Sequence, residues 1–408
     1  MSKTRLLLLT QWFDPEPTFK GLVFARELVH QGFDVEVLTG FPNYPGGILY
    51  AGYQIKFLQR EFIDGVRVTR VPLFPSHDHS VFGRIFNYIS FSFSATLYAV
   101  FAARSPSVVY AYHPPLTVGL AAILIKFFRK CAVVYDVQDM WPDTLSATGM
   151  LNSVFILNVV SWFCSFVYSF VDHIVVLSPG FKRLLIRRGV PSSKISVIYN
   201  WADEQSLLDP IGFLHPTFPV SNNHFRILFA GNIGKAQSLR TVLDAASLTQ
   251  MRNSSVQWLL LGDGLEVDVL KSDVKRMNLN NVLFFPSVPM SEVGLYLREA
   301  DALLVHLRRD PLFEITIPSK TQAYMAVGKP LLMAVNGDAA DLVRLSSGGV
   351  VSDSDNPESL ADAAHYLSSL SKQNLLAMAV NSRNFYRSNL ELTCGVRHFA
   401  EIFHRFGV

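Results

Sequence analysis

Lys320 follows Pro318-Ser319 at the expected start of a helix, between the apolar, strand-length runs DALLVHL (301–307) and PLLMAV (330–335). A proline and a capping hydroxyl suit a first helical turn, whose free N–H groups favour an anion. A cation in that turn opposes the helix dipole, so Lys320 points either to a bound phosphate or to a lysine that snorkels into solvent. His113 ends a second apolar run at Pro114-Pro115, and Asp139 ends a third at Met140-Trp141-Pro142. Both therefore belong to the ligand-facing rim of a parallel sheet, with helix or turn capping as the alternative for each. Gly21, at a helix entrance after a proline-rich stretch, either lets a ligand approach the backbone or simply turns the chain.

These residues need a scaffold that brings strand ends together, and the chain alternates accordingly. RLLLLT (5–10), a helix over 22–31, DVEVLT (34–39), GVRVTRVPLF (65–74), the strand–helix stretches 107–128 and 132–145, HIVVLS (173–178), a helix from Pro179 and KISVIYN (194–200) form one β-α series. Residues 204–223 have no sustained period and three prolines, which predicts a linker. A second series follows: strands near 226–231, 256–262, 281–286, 301–307 and 330–335, with helices between them. Two doubly wound halves imply an α/β chain whose two sets of strand ends face each other across a cleft. The first β-α-β unit lacks G-x-G-x-x-G, so a dinucleotide site is not supported. The loop 40–53 is rich in Gly, Pro and Asn, and loops that long are usually functional or mobile.

Composition narrows the class. Of 408 residues, 50% are hydrophobic and 17% charged, an apolar balance that asks for a membrane-facing explanation. A net charge of +3 is too small to imply nucleic acid. Three scattered cysteines match neither a disulfide framework nor zinc spacing, which suits a reducing cytosol. His77 and His79 lack a ligand set beside them and read as loop residues. No secretory signal is expected, because LLLLT reaches polar Gln11 too soon. No Asp, Glu, Lys or Arg occurs over 85–103 or 144–171, lengths that could span a bilayer. Polar residues interrupt the first run, and Asn158, Ser161, Ser165 and Ser169 stripe the second. Spanning would also split the sheet, so one face should pack on the domain. Phe155, Val159, Trp162, Phe163, Phe166 and Phe170 then form an apolar surface that is either core or lipid-facing, with Arg84, Arg104, Lys126, Arg129 and Lys130 as a basic rim.

FAGNIGKAQSLRTVLDAA, LLLGDGLEVDVL, VLFFPSVPMSEV and IPSKTQAYMAVGKP, in this order and spacing, resemble the C-terminal domain of retaining family 4 glycosyltransferases. FDPEPTFKGLVFARELVHQGFDVEVLTGFPNYPGG, YHPPLTVGLAA and DVQDMWPDTL resemble a narrower branch, the bacterial O-antigen and capsule transferases that include L-fucosamine (L-FucNAc) transferases. The resemblance implies a GT-B architecture of two Rossmann-like domains: 1–203 for the acceptor, 224–385 for the nucleotide sugar, and a helical segment 386–408 packing back across them. It further implies a UDP-sugar substrate, a polyprenyl-diphosphate-linked saccharide acceptor, no metal and no other cofactor. The protein would then be cytoplasmic, peripheral on the inner face of the cytoplasmic membrane.

Residue by residue, the resemblance assigns Gly231, Asn232, Gly234 and Gln237 to a diphosphate loop, and Gly262, Val288, Thr316, Ile317 and Ser319 to further donor contacts. Lys20 and Gly21 fall on the acceptor side. Lys235 and Lys320 would meet the charge that grows as UDP leaves. His113 would position donor oxygens and Asp139 hold the acceptor or a neighbouring side chain. Retention would follow the family account, attack from the leaving-group side assisted by the departing phosphate. The chain departs from the family in places. Asn232 and Gln237 stand where many members carry Arg and Lys, and Ile315 and Ala323 where many carry two glutamates. Glu314, one residue before the first of these, fills that role by a local shift or faces solvent. The Asp353-Ser354-Asp355 turn reads as a helix cap and not as a metal motif. Two other classes stay open: a UDP-sugar epimerase of similar architecture and a non-catalytic UDP-sugar-binding subunit.

Overall fold

The computed structural model describes residues 3–76, 81–151, 153–208, 224–252 and 254–407. His77 and His79, and residues 209–223 of the expected linker, lie outside the described residues. The chain divides into two units, residues 1–199 with 392–408, and residues 200–391.

In the first unit, β1 (Arg5–Leu9), α1 (Leu22–His30), β2 (Asp34–Gly40), β3 (Gln59–Ile63), β4 (Val66–Val71) and α2 (Val81–Phe101) come first. Then follow β5 (Val108–His113), α3 (Thr117–Arg129), β6 (Ala132–Val137), α4 (Asp143–Ala147), α5 (Val154–Phe170), β7 (His173–Val176), α6 (Pro179–Arg187) and β8 (Ile195–Val197). The sheet order is β3-β4-β2-β1-β5-β6-β7-β8, parallel except for β3 against β4. Strands β1 and β5 are buried throughout apart from Arg5, as a parallel sheet covered on both faces requires. The antiparallel edge strand β3 carries only partly buried and exposed residues, QREFI, and gives no apolar run to read.

The second unit runs α7 (Glu204–Leu208), β9 (Phe225–Ala230), α8 (Arg240–Met251), β10 (Val256–Leu261), α9 (Val267–Arg276), β11 (Val282–Phe285) and α10 (Met290–Glu299). It continues with β12 (Ala302–His306), α11 (Pro311–Glu314), α12 (Ser319–Val327), β13 (Leu331–Ala334), α13 (Asp338–Ser346), β14 (Gly349–Val351), α14 (Pro357–Ser369) and α15 (Lys372–Asn389). Its six strands are all parallel in the order β11-β10-β9-β12-β13-β14. Trp258, Phe229, Leu260 and Leu304 centre the core, and each such side chain contributes about 1.5–3 kcal/mol on burial.

Two expectations change here. The linker does not begin at Glu204: Asp203 accepts from Ser206 N and starts α7, whose Leu207 is buried in the second unit. The last helix, α16 (Leu392–Phe406), belongs to the first unit, where Phe399 and Phe403 pack edge-on against Tyr110.

Both sheets reverse direction at one place. The chain winds outward from β1 and returns to β5 on its other side; in the second unit it winds outward from β9 and returns to β12. The carboxyl ends at such switch points are where open α/β sheets hold ligands.

Candidate functional site

At the second unit's switch point the loop after β9 meets the segment after β12. Gly231, at φ +129°, passes so close to Gly262, at φ +146°, that a Cβ on Gly262 would lie 1.9 Å from the Gly231 carbonyl oxygen. Only two glycines let these strand ends touch. The loop is braced by main-chain bonds, Ile233 N to Asp263 O at 2.8 Å and Arg308 N to Ala236 O at 2.9 Å. Gln237 Oε1 accepts from Gly234 N at 3.1 Å, so this side chain shapes the loop from within. Asn232 and Lys235 are exposed.

Lys320 lies across this loop. Its Nζ sits 4.8 Å above the Phe229 ring and 2.8 Å from where a Gly231 Cβ would stand. Burial lowers its pKa to about 8. Tyr324, one turn on, is buried and locks α12 to β9, its hydroxyl accepting from Ala230 N at 3.0 Å and lying 3.3 Å from Ala230 O. The amine is thus held over the loop and does not snorkel freely. Ser319 does not cap α12, a correction: Pro318 holds the N-cap position and no side chain accepts there, which leaves the first turn without a side-chain acceptor.

The other donor positions are scattered along the same edge. Thr316 Oγ1 donates to Leu312 O at 2.7 Å, Ile317 is buried, and Val288 is half-buried in an exposed segment. Glu314 closes the four-residue α11, and its carbonyl lies 1.9 Å from where a Cβ on Gly337 would stand.

Asp355 is another correction. The cap of α14 is Asn356, which accepts from Ser359 N at 3.1 Å. Asp355, at φ +52°, turns away and accepts from Ser238 Oγ at 2.7 Å and Arg309 N at 2.6 Å. Burial alone would raise its pKa, but these bonds hold the carboxyl below its usual range. Beside it, His306 Nδ1 pairs with Gln237 O at 2.7 Å, and burial lowers the imidazole pKa. Together they tie the glycine loop to the end of β12. Neither was legible as a site residue: Asp355 stands next to a better cap, and His306 lies inside an apolar run.

In the first unit the rim is built differently. Lys20 is wholly buried, with Nζ 5.9 Å from the Phe24 ring and 5.3 Å from Phe399. Burial pulls its pKa down to about 8 against the field of Asp136. Asp136, also fully buried, accepts from Tyr110 Oη and, at 2.7 Å, from Gln138 Nε2; desolvation raises its pKa. An acid inside the run AVVYDV was the available signal for it. Gly21 makes its close approach to the chain's own Asp14, whose Oδ2 accepts from Leu22 N at 2.6 Å and would lie 2.3 Å from a Cβ at position 21. Glu16, also missed, accepts from Phe13, Asn43 and Tyr44 N at 2.8–3.1 Å and so pins the loop after β2 to the loop after β1.

His113 is 2% exposed, edge-on to Tyr135 and Trp141, and burial lowers its pKa to about 3. Its Nδ1 is buried without a hydrogen-bond partner. Asp139 is half-buried and its pKa is raised by desolvation; it is not the cap of α4, whose N-cap position Pro142 holds. Among the described residues no group of three or more His, Cys, Asp or Glu comes together to hold a metal ion.

Residues 22–201 match a glycosyl transferase 4-like domain, and residues 214–384 match the glycosyl transferases group 1 domain. The chain is 27% identical over 247 residues to a "Probable glycosyltransferase WbjE" of Pseudomonas aeruginosa, a match spanning 60% of each chain. It is 25% identical over 329 residues to WcaI of Escherichia coli, which carries the name of a colanic acid biosynthesis glycosyl transferase, across 78% of this chain and 79% of that one. Among solved structures, HepE of Anabaena in complex with UDP and glucose superposes with a TM-score of 0.65 at 16% identity, covering 98% of this chain and 99% of that one. Sucrose-phosphate synthase of Thermosynechococcus elongatus gives 0.70 at 14% identity, with 99% of each chain covered. With one such domain in each unit, on the α/β fold of these GT-B structures, the chain carries the paired domains of a GT4-like glycosyltransferase.

Proposed function

We propose that this protein transfers a sugar, with retention, from a UDP-sugar to a polyprenyl-diphosphate-linked saccharide at the inner face of the cytoplasmic membrane. The sugar we assign is an N-acetylated 6-deoxyhexosamine such as L-FucNAc, in O-antigen or capsule assembly. The donor reading draws on HepE having been solved with UDP and glucose. The polysaccharide setting draws on the name of WcaI, and the choice of sugar on the motif resemblance.

One observation carries the donor half: the Lys320 amine held over the Gly231 loop, at the uncapped first turn of α12. A diphosphate there would meet main-chain N–H groups and a cation whose raised acidity marks a dry setting. As the sugar–phosphate bond breaks, negative charge grows on the leaving oxygen, and Lys320, with Lys235 at the loop's outer side, offsets it without a resident metal. Asn232 and Gln237 then hold loop shape, with main-chain N–H groups doing the binding. His113 and Asp139 serve the first unit's share, the sugar and the acceptor hydroxyl.

Transition-state contacts appear in kcat. Lys320→Ala is expected to lower kcat by about 10²–10³-fold while the donor dissociation constant changes little, and Lys235→Ala to act the same way more weakly. A folded Lys320→Ala protein with undiminished kcat would remove the residue from the reaction.

A further inference from the structure

Helix α2 buries one side and leaves the other bare. Asn87, Phe91, Ala95, Tyr98 and Ala99 point into the first unit, while Phe82, Phe86, Ile89, Phe93, Leu97 and Phe101 run along the opposite side at helical spacing and are 43–80% exposed. An amphipathic surface helix should be polar on that side. Helix α3 packs on α2 and α5 on α3, and both continue the pattern. Phe127 and Phe128 of α3 are 66% and 67% exposed. The first ten residues of α5, VFILNVVSWF, include no buried residue, and Phe155 and Trp162 are 77% and 66% exposed. The buried residues of the helix, Cys164, Val167 and Tyr168, all lie in its second half. The three helices cover the sheet face opposite α1, since β4→α2→β5, β5→α3→β6 and β6→α5→β7 all cross in the direction opposite to β1→α1→β2.

We infer that the outer face of α2, α3 and the first half of α5 is a monolayer-inserting surface for an anionic lipid bilayer. Charge selects the occupant. No Asp or Glu lies on any of the three helices, whereas Arg84, Lys126, Arg129 and Lys130 flank their apolar side chains. Arg129 donates to Val100 O and Ala103 O, holding its cation at the carboxyl end of α2, and Lys126 pairs with Asp172 at 2.6 Å at the far end of α5. A second copy docked by two-fold symmetry would set these cations against themselves with no acid on the helices opposite. Lys126 already has Asp172, so anionic headgroups supply counter-charge to Arg84, Arg129 and Lys130, and acyl chains take the phenylalanines and Trp162. Nor does the protein need to cross the bilayer: among the described residues no helix is long and apolar enough to do so.

The inference deepens the lipid-linked acceptor reading, yet its test needs no sugar. The purified full chain is floated with vesicles of phosphatidylethanolamine and phosphatidylglycerol, and with vesicles of phosphatidylcholine alone. The wild type is expected to float with the anionic vesicles and to be released by salt only in part, since burial of the aromatic side chains is not screened. Phe86→Glu with Phe93→Glu, and separately Phe155→Glu with Trp162→Glu, should each weaken binding by about tenfold or more with unchanged Tm, because these positions are exposed. Leu345→Glu, on an exposed residue of the second unit, should float like wild type. A wild type that stays unbound to every vesicle overturns the inference. So does flotation that neither glutamate pair alters, or a dimer dissolved by those pairs in a protein that binds no lipid. Vesicle binding without transfer to any lipid-linked acceptor would instead sink the acceptor reading and leave the surface standing.

Discussion

The two switch points share a topology and use it in opposite ways. At the first, charged and polar groups are turned inward: Lys20, Asp136, Glu16 and His113 are each at most 3% exposed and packed among aromatic rings or main-chain amides. At the second, two glycines thin the backbone, Asn232 and Lys235 stand in solvent, and Lys320 is braced over the opening. Buried charges fix loops, because moving them would strand an unpaired ion. A cation beside a bare glycine backbone has no such internal duty. At the first rim the buried charges of Lys20, Asp136 and Glu16 hold the frame in which His113 and Asp139 stand; the second is a seat with its counter-charge left out.

That contrast can be broken most forcefully at its two lysines. Lys20→Ala leaves Asp136 ionised or protonated in an apolar setting without its cation, and is expected to cost about 3–5 kcal/mol of stability, measured by urea unfolding. In the second unit the loss from Lys320→Ala should fall on turnover, with Tm little changed. If Lys20→Ala were as stable as wild type and only slow, Lys20 would be a binding cation like Lys320 and not part of the frame.

A smaller effect sharpens the first rim. His113 has a folded pKa of about 3 against an ordinary 6.5, so it stays neutral while the unfolded chain takes up a proton. Its contribution is therefore fully present above about pH 6.5 and is lost progressively as pH falls toward 3, by up to about 1.4 kcal/mol per pH unit. His113→Gln should flatten the acid arm of the stability curve by one proton. An unchanged slope would mean that water reaches the imidazole. The smallest effect tests the second rim's bracing: Asp355→Asn weakens its bonds to Ser238 and Arg309, and is expected to raise the donor KM several-fold at a cost of about 1 kcal/mol. A purely structural Asp355 would leave KM where it was.

How far the chain could be read follows from what each element uses. The parallel strands were legible because a sheet covered on both faces writes itself as unbroken apolar runs bounded by Gly and Pro. Edge strand β3 was not, being half polar. Lys320 was legible as a cation in the wrong end of a helix, whereas its partner ring, Phe229, comes from 91 positions away in sequence and left no local mark. Glu16 and Asp136 escaped for the same reason, their hydrogen-bond partners lying up to 28 and 26 residues distant. Serine and aspartate caps were over-read at 319 and 355, because propensity names good caps without saying which neighbour takes the position. The run 85–103 gave its hydrophobicity but not its direction, since one side of α2 is core and the other is bare.

Helix α16 closes the back of the first unit with Phe399 against Phe24 at 5.3 Å and Phe403 against Phe33 at 5.9 Å, although the whole second unit is inserted before it in the chain. On the ribosome, then, the first 199 residues emerge with that aromatic seam uncovered and wait through the synthesis of 192 more before it can be sealed. At ordinary elongation rates that is a delay of about 10–40 seconds, during which the second unit can fold and the first cannot finish.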